Sequence, residues 1–315
     1  MALILLALVD AAPVAGSSAP LVVPADLTLG YGVVEGNPIA VRESGRPDLT
    51  NVLWAVGDIG QCGSDTMDDQ VGAMLATTTG AIATLGDTAY PDASAQNFAE
   101  CFDPAWRPVK SRIFPALGNH EYHQPGAKAY FDYFGAAAGD RTKGYYSYDV
   151  ATWHIVVLNS LCDQVGGCGP GSPQAVWLAA DLAAHPTKCS AAYWHYPLFS
   201  SGHHGSISAM HDLWQILIDH GADVVFNGHD HSYERFAPQT AGGVADPAHG
   251  IREFVVGTGG VGFYEFHTPL ANSEVRDNNT AGALKLTLAD ASYTWQFFKA
   301  AGPGTLADSG TGTCH

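Results

Sequence analysis

Charged residues are scarce in this 315-residue chain, and basic residues are the scarcest of them. Asp, Glu, Lys and Arg together make up 14% of the sequence, against about a quarter in a typical soluble protein. The 14 lysines and arginines face 31 aspartates and glutamates, which gives a formal charge of −17. This charge repels nucleic-acid phosphates and anionic membrane surfaces. We therefore expect no nucleic-acid partner, whereas a metal ion in a cleft can still attract a small anion.

The apolar run near the N-terminus, residues 2–9, is too short to span a bilayer. With the small residues that follow it, the run is typical of a signal peptide, although the usual basic residues before it are missing. A plain buried strand is the alternative. We predict a leader over residues 1–19, a Pro- and Gly-punctuated lead-in over 20–49, and a single domain over 50–315. The expected location is secreted or periplasmic, with no membrane contact after the leader is removed.

The six cysteines contain no C-x-x-C pair, which argues against a thiolate zinc site. Their even number favours disulfides and therefore an oxidising compartment. Cys162 and Cys168 flank a short Gly-rich segment, so we expect them to pair locally. The hypothesis for the full set is Cys162–Cys168, Cys62–Cys101 and Cys189–Cys314. The alternative is that some of the six are buried free thiols.

Several catalytic signatures are also missing from the sequence. It contains neither a G-x-S-x-G nucleophile motif nor a Walker loop. Residues 120–123 miss the H-E-x-x-H zinc motif by one position. Residues 257–262 fit G-x-G-x-x-G, but no helix start follows them, so we predict a turn near the site and not a dinucleotide site.

The main pattern from Asn51 onwards is a series of short apolar runs that end in glycine and polar residues. Such runs predict strands that lead into loops. Helices are predicted between them, most clearly over residues 172–184 and 207–220, and antiparallel strands are predicted near the C-terminus. We see no internal repeat and no linker after residue 50. The pattern therefore predicts one layered α/β domain.

Five of these runs end in residues that can bind metal. In open α/β sheets ligands gather at the carboxyl ends of the strands, so the five loops should meet in one crevice. Their donors are Asp58, Asp87, Tyr90, Asn119, His195, His229 and His231. Seven donors are too many for one tetrahedral ion, but two cations that share Asp87 would use them all. Taken singly, each residue could instead be a turn former or an ordinary histidine; the ordered set favours the metal site.

The ordered motifs D-x-G, G-D-x-x-Y, G-N-H-E, a strand-end His and G-H-x-H run from about Asn51 to Arg235. In this order they resemble the metallophosphoesterase superfamily, and specifically its purple acid phosphatase branch. The resemblance implies an α/β fold, a four-layer α/β/β/α sandwich of two mixed β-sheets, with a two-metal site at the edge.

The resemblance also implies how the two metals are held. Asp58, Tyr90 and His231 would hold Fe(III), Asp87 would bridge, and Asn119, His195 and His229 would hold iron, zinc or manganese. Tyr90 distinguishes this branch, because a phenolate on ferric iron gives a visible colour. The alternative for Tyr90 is a packing role beside Pro91.

The reaction implied by the resemblance is hydrolysis of a phosphomonoester through attack of a metal-bound hydroxide on phosphorus. Histidines outside the ligand set would supply protons and hydrogen bonds. His120 matches the substrate-side histidine of the family, and within residues 201–205 we favour His204 over His203. A solvated loop histidine is the alternative for either.

The expected partner is a small phosphorylated molecule, and the oligomeric state stays unpredicted. Two other functions remain open. One is a phosphodiesterase or nucleotide pyrophosphatase on the same scaffold, because the metal set does not dictate how many ester groups the phosphorus carries. The other is a noncatalytic, secreted metal-binding module that has kept the ligands.

Overall fold

A computed structural model of the protein describes residues 50–64 and 66–315. The predicted leader (1–19) and lead-in (20–49) lie outside the described residues. Among the helices described, none combines the length and the apolar character needed to cross a bilayer.

The described residues form strands β1 Val52–Val56, β2 Ala81–Thr84, β3 Ile113–Pro115, β4 Tyr146–Val150, β5 Trp153–Val157, β6 Ser190–Tyr193, β7 Val224–Asn227, β8 Tyr233–Phe236, β9 Arg252–Val256, β10 Ser273–Asp277, β11 Ala281–Ala289, β12 Ser292–Ala301 and β13 Ser309–Thr313. The α-helices are α1 Met67–Ala76, α2 Ala95–Asn97, α3 Asp103–Trp106, α4 Lys128–Phe134, α5 Pro173–Ala184 and α6 His211–Asp219. A π-helical turn spans Phe98–Phe102, and 3-10 turns span Arg107–Arg112, Glu121–His123, Pro125–Ala127, Gly135–Ala138, Cys162–Gln164 and Ser208–Met210.

The strands form two mixed sheets. The first has the order β13-β12-β11-β1-β2-β3, in which β1, β2 and β3 are parallel and the other pairs are antiparallel. The second has the order β10-β8-β9-β7-β6-β5-β4, in which β5, β6, β7 and β9 are parallel. Strand β11 pairs antiparallel with β1, so that Leu53 lies opposite Leu286. The C-terminal part of the domain therefore extends the sheet that begins at β1.

Three hydrophobic clusters separate four layers. Leu53 and Ile155 belong to the cluster between the two sheets. Trp54 faces the other side of β1 and packs with helices α1 and α3, while Val156 faces the other side of β5 and packs with α5 and α6. Neighbouring residues of a buried strand thus enter different clusters because their side chains alternate between faces. The four-layer α/β/β/α sandwich predicted from the resemblance is confirmed.

Local signals define the ends of the helices at the surface of these layers. Thr66 and Asp69 form a capping box at the start of α1. Ser172 accepts a hydrogen bond from the backbone of Ala175 and precedes Pro173, as predicted for the start of α5. The α6 helix begins later than predicted, at His211, because a 3-10 turn occupies residues 208–210.

All six cysteines lie in disulfides, with the predicted pairing Cys162–Cys168, Cys62–Cys101 and Cys189–Cys314. The Cys162–Cys168 disulfide closes a short surface loop after β5. The third ties the segment before β6 to the C-terminal end of the chain, across 125 residues of sequence. Cross-links over such long loops restrict the unfolded chain most.

Candidate metal centre

The carboxyl ends of β1, β2 and β3 meet those of β6 and β7 at one edge of the sandwich. The backbone N–H of Gly57, after β1, donates to the carbonyl of Val256 over 2.9 Å, and that of Gly228, after β7, donates to His195 over 3.1 Å. A Cβ added at Gly57 would lie 3.3 Å from the Cα of Gly228. The two sheets touch here through glycines, so the loops that follow their strands share one space.

The carboxylate of Asp87 lies in the middle of the gathered donors. Its Oδ2 atom is 3.0 Å from the Oη of Tyr90 and 3.2 Å from the Nε2 of His195. Asp58, Asp87 and His195 each present a ligand atom within 4.8 Å of the others. Asp87 therefore faces both halves of the predicted ligand set, which is the position a bridging ligand needs.

Asp58, Tyr90 and His231 form one half of the centre. The Oδ1 of Asp58 lies 3.1 Å from the Oη of Tyr90 and 3.4 Å from the Nε2 of His231. The Tyr90 Oη and the His231 Nε2 are themselves 3.1 Å apart. The ring of Tyr264, which the sequence did not single out, stacks on His231 at 4.1 Å between centroids.

Asn119, His195 and His229 form the other half. The Nδ1–H of His195 donates to the carbonyl of Leu85 over 2.8 Å, which directs Nε2 to the site, 3.1 Å from the Oδ1 of Asn119. The ring of His229 lies 5.1 Å from that of His195. The structure thus brings together all seven residues that the sequence placed at strand ends.

Backbone conformations of low intrinsic stability hold several donors in place. Asp58, Asp87 and His229 have φ values of 61°, 50° and 72°, in the left-handed region that favours glycine. Asp58 and His229 support each other, because the Oδ2 of Asp58 accepts the backbone N–H of His229 over 2.9 Å. Gly118 has no room for a side chain, since a Cβ there would lie 2.2 Å from the Oδ1 of Asp87.

Glu121 is a buried residue of the site to which sequence reasoning gave no role. Its carboxylate accepts the backbone N–H groups of Asp87, Thr88 and Gly118 over 3.0, 2.7 and 2.6 Å. It therefore joins the loops after β2 and β3 that carry Asp87 and Asn119. The G-N-H-E motif contains this residue, but nothing local in the sequence separates its structural role from a surface one.

The charges of the centre perturb one another strongly. Burial lowers the pKa of His195, but Asp87 outweighs it and raises this pKa to about 9. Burial raises the pKa of Asp87, but His195 and His120 outweigh it and hold this pKa well below its ordinary value. Burial, together with His195 and His204, lowers the pKa of His229 to about 2, which leaves a neutral imidazole. A neutral imidazole beside carboxylates is the form that binds metal.

The donor set fits a pair of cations. Burial, Asp87 and Asp58 raise the pKa of Tyr90 well above its ordinary value, so only a cation would favour the phenolate there. Carboxylate, phenolate, amide and imidazole ligands together suit one hard trivalent ion and one borderline divalent ion.

Three further histidines lie beside the centre. His120 donates its backbone N–H to Asp87 over 2.8 Å, its Nδ1 contacts the carbonyl of Pro91, and its Nε2 is 3.7 Å from Asp87 Oδ2. The ring of His204 stacks on His229 with a centroid distance of 4.2 Å and an interplanar angle of 23°. The ring centroid of His203 lies 5.1 Å from that of His204.

Known proteins resemble this chain in both sequence and fold. A family model described as calcineurin-like phosphoesterase matches residues 52–233. Purple acid phosphatase 15 of Arabidopsis thaliana is 25% identical over 58% of this chain and 40% of its own length. The probable inactive purple acid phosphatase 1 of the same plant is 24% identical over 86% of this chain and 51% of its own length.

Among solved structures, the purple acid phosphatase PPD1 from yellow lupin (Lupinus luteus) seeds shares the fold. Its TM-score is 0.73, with 19% identity over 85% of this chain and 55% of that one. The chain thus spans about half, or less, of the length of these relatives. The family match covers more than half of the chain and ends just past the last predicted ligand, His231. The chain belongs to the calcineurin-like phosphoesterase family, on its purple acid phosphatase branch.

Proposed function

We propose that the protein is an exported phosphatase that hydrolyses phosphomonoesters with two metal ions. The observation that carries the proposal is the position of the Asp87 carboxylate, which faces ligands from both sheets at one open edge. His120 and His204, two histidines outside the ligand set, lie at the same edge. A set of this kind serves two-metal hydrolysis of phosphate esters.

The proposed cofactors are Fe(III), held by Asp58, Tyr90 and His231, and iron, zinc or manganese, held by Asn119, His195 and His229. Asp87 is the proposed bridge. When bound, the metal pair would supply an acidified water and positive charge for the phosphoryl oxygens. The seven donors themselves would fix where a phosphate group can sit.

The proposed role of His120 follows from its two ring nitrogens. Nδ1 contacts the carbonyl of Pro91 and therefore carries a proton, while Nε2 faces the centre, 3.7 Å from Asp87. In its imidazolium form His120 can donate from Nε2 to a phosphoryl oxygen and stabilise the added charge. Its backbone bond to Asp87 keeps the ring beside the centre.

His204 is the proposed proton donor to the leaving alkoxide. Its ring is exposed to solvent on one side and stacks on the predicted ligand His229 on the other. A group that faces both solvent and the reacting phosphate can deliver a proton and recover it from water. His203 contacts the same space less directly, through its own contact with His204.

Export is supported by the three disulfides, because such bonds persist in oxidising compartments. The leader that would direct export, over residues 1–19, lies outside the described residues. We propose a secreted or periplasmic location for the domain of residues 50–315.

The test is a substrate panel on the metal-loaded protein, with metal content measured on the same sample. We expect p-nitrophenyl phosphate to be hydrolysed faster than bis(p-nitrophenyl) phosphate. The matched control is Asp181→Asn, since Asp181 is buried on α5 and pairs with His154. Preference for the bis-ester would favour a phosphodiesterase. No turnover of either ester with both metals bound would contradict the proposal and favour a noncatalytic module.

A further inference from the structure

The loop of residues 199–204, the histidine loop, follows β6 and carries both His203 and His204. Its backbone is buried at Ser200 and Ser201, which are 4% and 2% exposed, while the two histidine side chains are exposed. We propose that the buried carboxylates of Asp230 and Glu234 are positioning residues, which hold this loop so that His204 faces the metal centre. This inference rests on the proposed function for its catalytic consequence, but not for its geometry.

Asp230 holds the end of the loop that carries His204. It is fully buried, and its Oδ1 accepts the backbone N–H of His204 over 2.8 Å. Its Oδ2 accepts the hydroxyl of Ser200, which in turn accepts the N–H of Gly202 over 2.9 Å. A Cβ added at Gly202 would lie 2.4 Å from the carboxylate carbon of Asp230, so the loop needs glycine at this point. Asp230 lies between the predicted ligands His229 and His231, so it links the loop directly to the centre.

Glu234, on β8, holds the middle of the loop. It is also fully buried, and it accepts both the backbone N–H and the hydroxyl of Ser201, over 2.7 and 2.6 Å. The hydroxyl of Ser201 also accepts the backbone N–H of Leu270 over 2.9 Å. The backbone carbonyl of Ser201 accepts the backbone N–H of His267 over 2.8 Å. Ser201 is therefore fixed from two sides, by β8 and by the segment that precedes β10.

A third buried acid, Glu253 on β9, holds the start of the loop. Its Oε1 accepts the N–H of Phe199 over 3.3 Å. Burial raises the pKa of Glu253 well above its ordinary value. The backbone N–H groups of residues 199, 201 and 204 thus donate hydrogen bonds to three different buried carboxyl groups. Loops usually leave such groups to water, and burying a carboxyl group is unfavourable unless its hydrogen bonds are made.

A purely stabilising role and a positioning role predict different results. If the carboxylates only stabilise the fold, their loss lowers the melting temperature but leaves His204 in place in the folded molecules. If they position the loop, their loss acts through His204. It then changes the ring environment of His204, and it changes turnover only while His204 is present.

The first experiment follows the Cε1–H resonance of His204 by NMR in the metal-free protein. The ring current of His229 shifts this resonance because the two rings stack. Glu234→Ala should move it towards the value of an unstacked histidine, Glu234→Gln should retain most of the shift, and the control Asp181→Asn should leave it unchanged. A His204 resonance that is unchanged in Glu234→Ala would overturn the proposal, whatever activity the protein has.

The second experiment is a double-mutant cycle on the metal-loaded protein with p-nitrophenyl phosphate. Glu234→Ala should lower kcat/KM about tenfold with metal content unchanged, and it should add less than about twofold in a His204→Ala background. Gly202→Ala tests the Asp230 contact separately, should Glu234→Ala fail to fold. Equal losses in both backgrounds would contradict the proposal. If the wild-type protein turns over no ester, the proposed function fails and the NMR result alone decides the positioning.

Discussion

Two clusters of histidine and carboxylate side chains in this molecule use the same residue types in different ways. One is the metal centre at the edge where the two sheets meet. The other, the His154 cluster, consists of Asp149, His154, Asp181 and His185, between strands β4 and β5 and helix α5. Three of its side chains also lie close enough together to share an ion. The comparison of the two shows which features separate a metal site from a paired structural group.

In the His154 cluster the polar atoms satisfy one another. His154 uses both ring nitrogens, with Nδ1 2.9 Å from Asp149 and Nε2 2.8 Å from Asp181. The ring of His185 stacks on that of His154 at 4.4 Å with an interplanar angle of 12°, so the in-plane lone pairs of the two rings do not converge. Burial lowers the pKa of His154, but the two aspartates outweigh it and raise this pKa to about 9. The cluster therefore contains its own cation.

The metal centre differs in number, origin and direction of its donors. Its donors come from five loops at strand ends and not from one helix and one hairpin. Nitrogen and oxygen atoms surround Asp87 from several sides. The pKa of His229 is lowered to about 2, whereas that of His195 in the same centre and that of His154 are both raised to about 9. Convergence of donors from five loops on the shared Asp87 carboxylate, more than composition, distinguishes the metal centre.

The largest expected difference between the clusters concerns turnover. Asp87→Ala removes the carboxylate that both halves of the centre share, so we expect kcat to fall about 10³-fold or more and metal content to drop. Asp181→Asn, in the His154 cluster, should change neither by more than about twofold. Turnover and elemental analysis on the same samples make the test. If Asp181→Asn loses as much metal as Asp87→Ala, the distinction between the two clusters is wrong.

The next effect is on stability and belongs to the His154 cluster. The pKa of His154 is about 9 in the folded protein and 6.5 in its ordinary state. Because the folded pKa is the higher, the stabilisation is complete below pH 6.5 and is lost as the pH rises through 9. It corresponds to about 3 kcal/mol of unfolding free energy.

Urea unfolding of the wild-type protein and of His154→Asn, at about pH 6 and about pH 10, measures this contribution. The wild-type protein should lose more stability than the variant between the two pH values. A variant with the same pH dependence as the wild-type protein would show that His154 is not charged in the folded state. Turnover per folded molecule should be the same in both proteins.

The third prediction separates the two histidines of the histidine loop. We expect His204→Ala to lower kcat/KM about 10²-fold, because its ring lies against the metal centre and supplies a proton. His203→Ala should lower it less than about tenfold, because the ring of His203 contacts His204 and Tyr264, which lie beside the centre. Equal losses in the two variants, measured on p-nitrophenyl phosphate, would defeat the assignment.

The last prediction concerns Tyr90→Phe, for which we expect a smaller loss of turnover than for Asp87→Ala or His204→Ala. One of seven donors is lost while Asp87 remains, so we expect turnover to fall about tenfold. The iron-loaded wild-type protein should absorb in the visible, and the variant should lose that band. A band that persists in Tyr90→Phe would place the ferric ion elsewhere and leave Tyr90 as a packing residue beside Pro91.

Sequence reasoning reached the centre because its donors follow strand ends directly. The apolar run before Asp58 marks a strand, the glycine marks the turn, and the parallel order of β1, β2 and β3 makes the loops converge. The two long strands β11 and β12 were also predicted as antiparallel.

The same reasoning does not identify the buried residues that hold the loops in place. Glu234 bonds Ser201 across 33 residues of sequence, and Glu121 bonds Thr88 across 33 residues. Such bonds leave no periodic or local signal, and a buried glutamate looks like a surface glutamate in a sequence. Helix α1 was missed for a related reason, because its short apolar face includes a glycine, Gly72, packed against Ala105.

The most direct test of this account is the number of metal ions bound per folded chain, measured by elemental analysis after loading and removal of free metal. The metal centre predicts two ions per chain in the wild-type protein and in Asp181→Asn, and fewer in Asp87→Ala. A folded wild-type protein that binds one ion or none under every loading condition would contradict it.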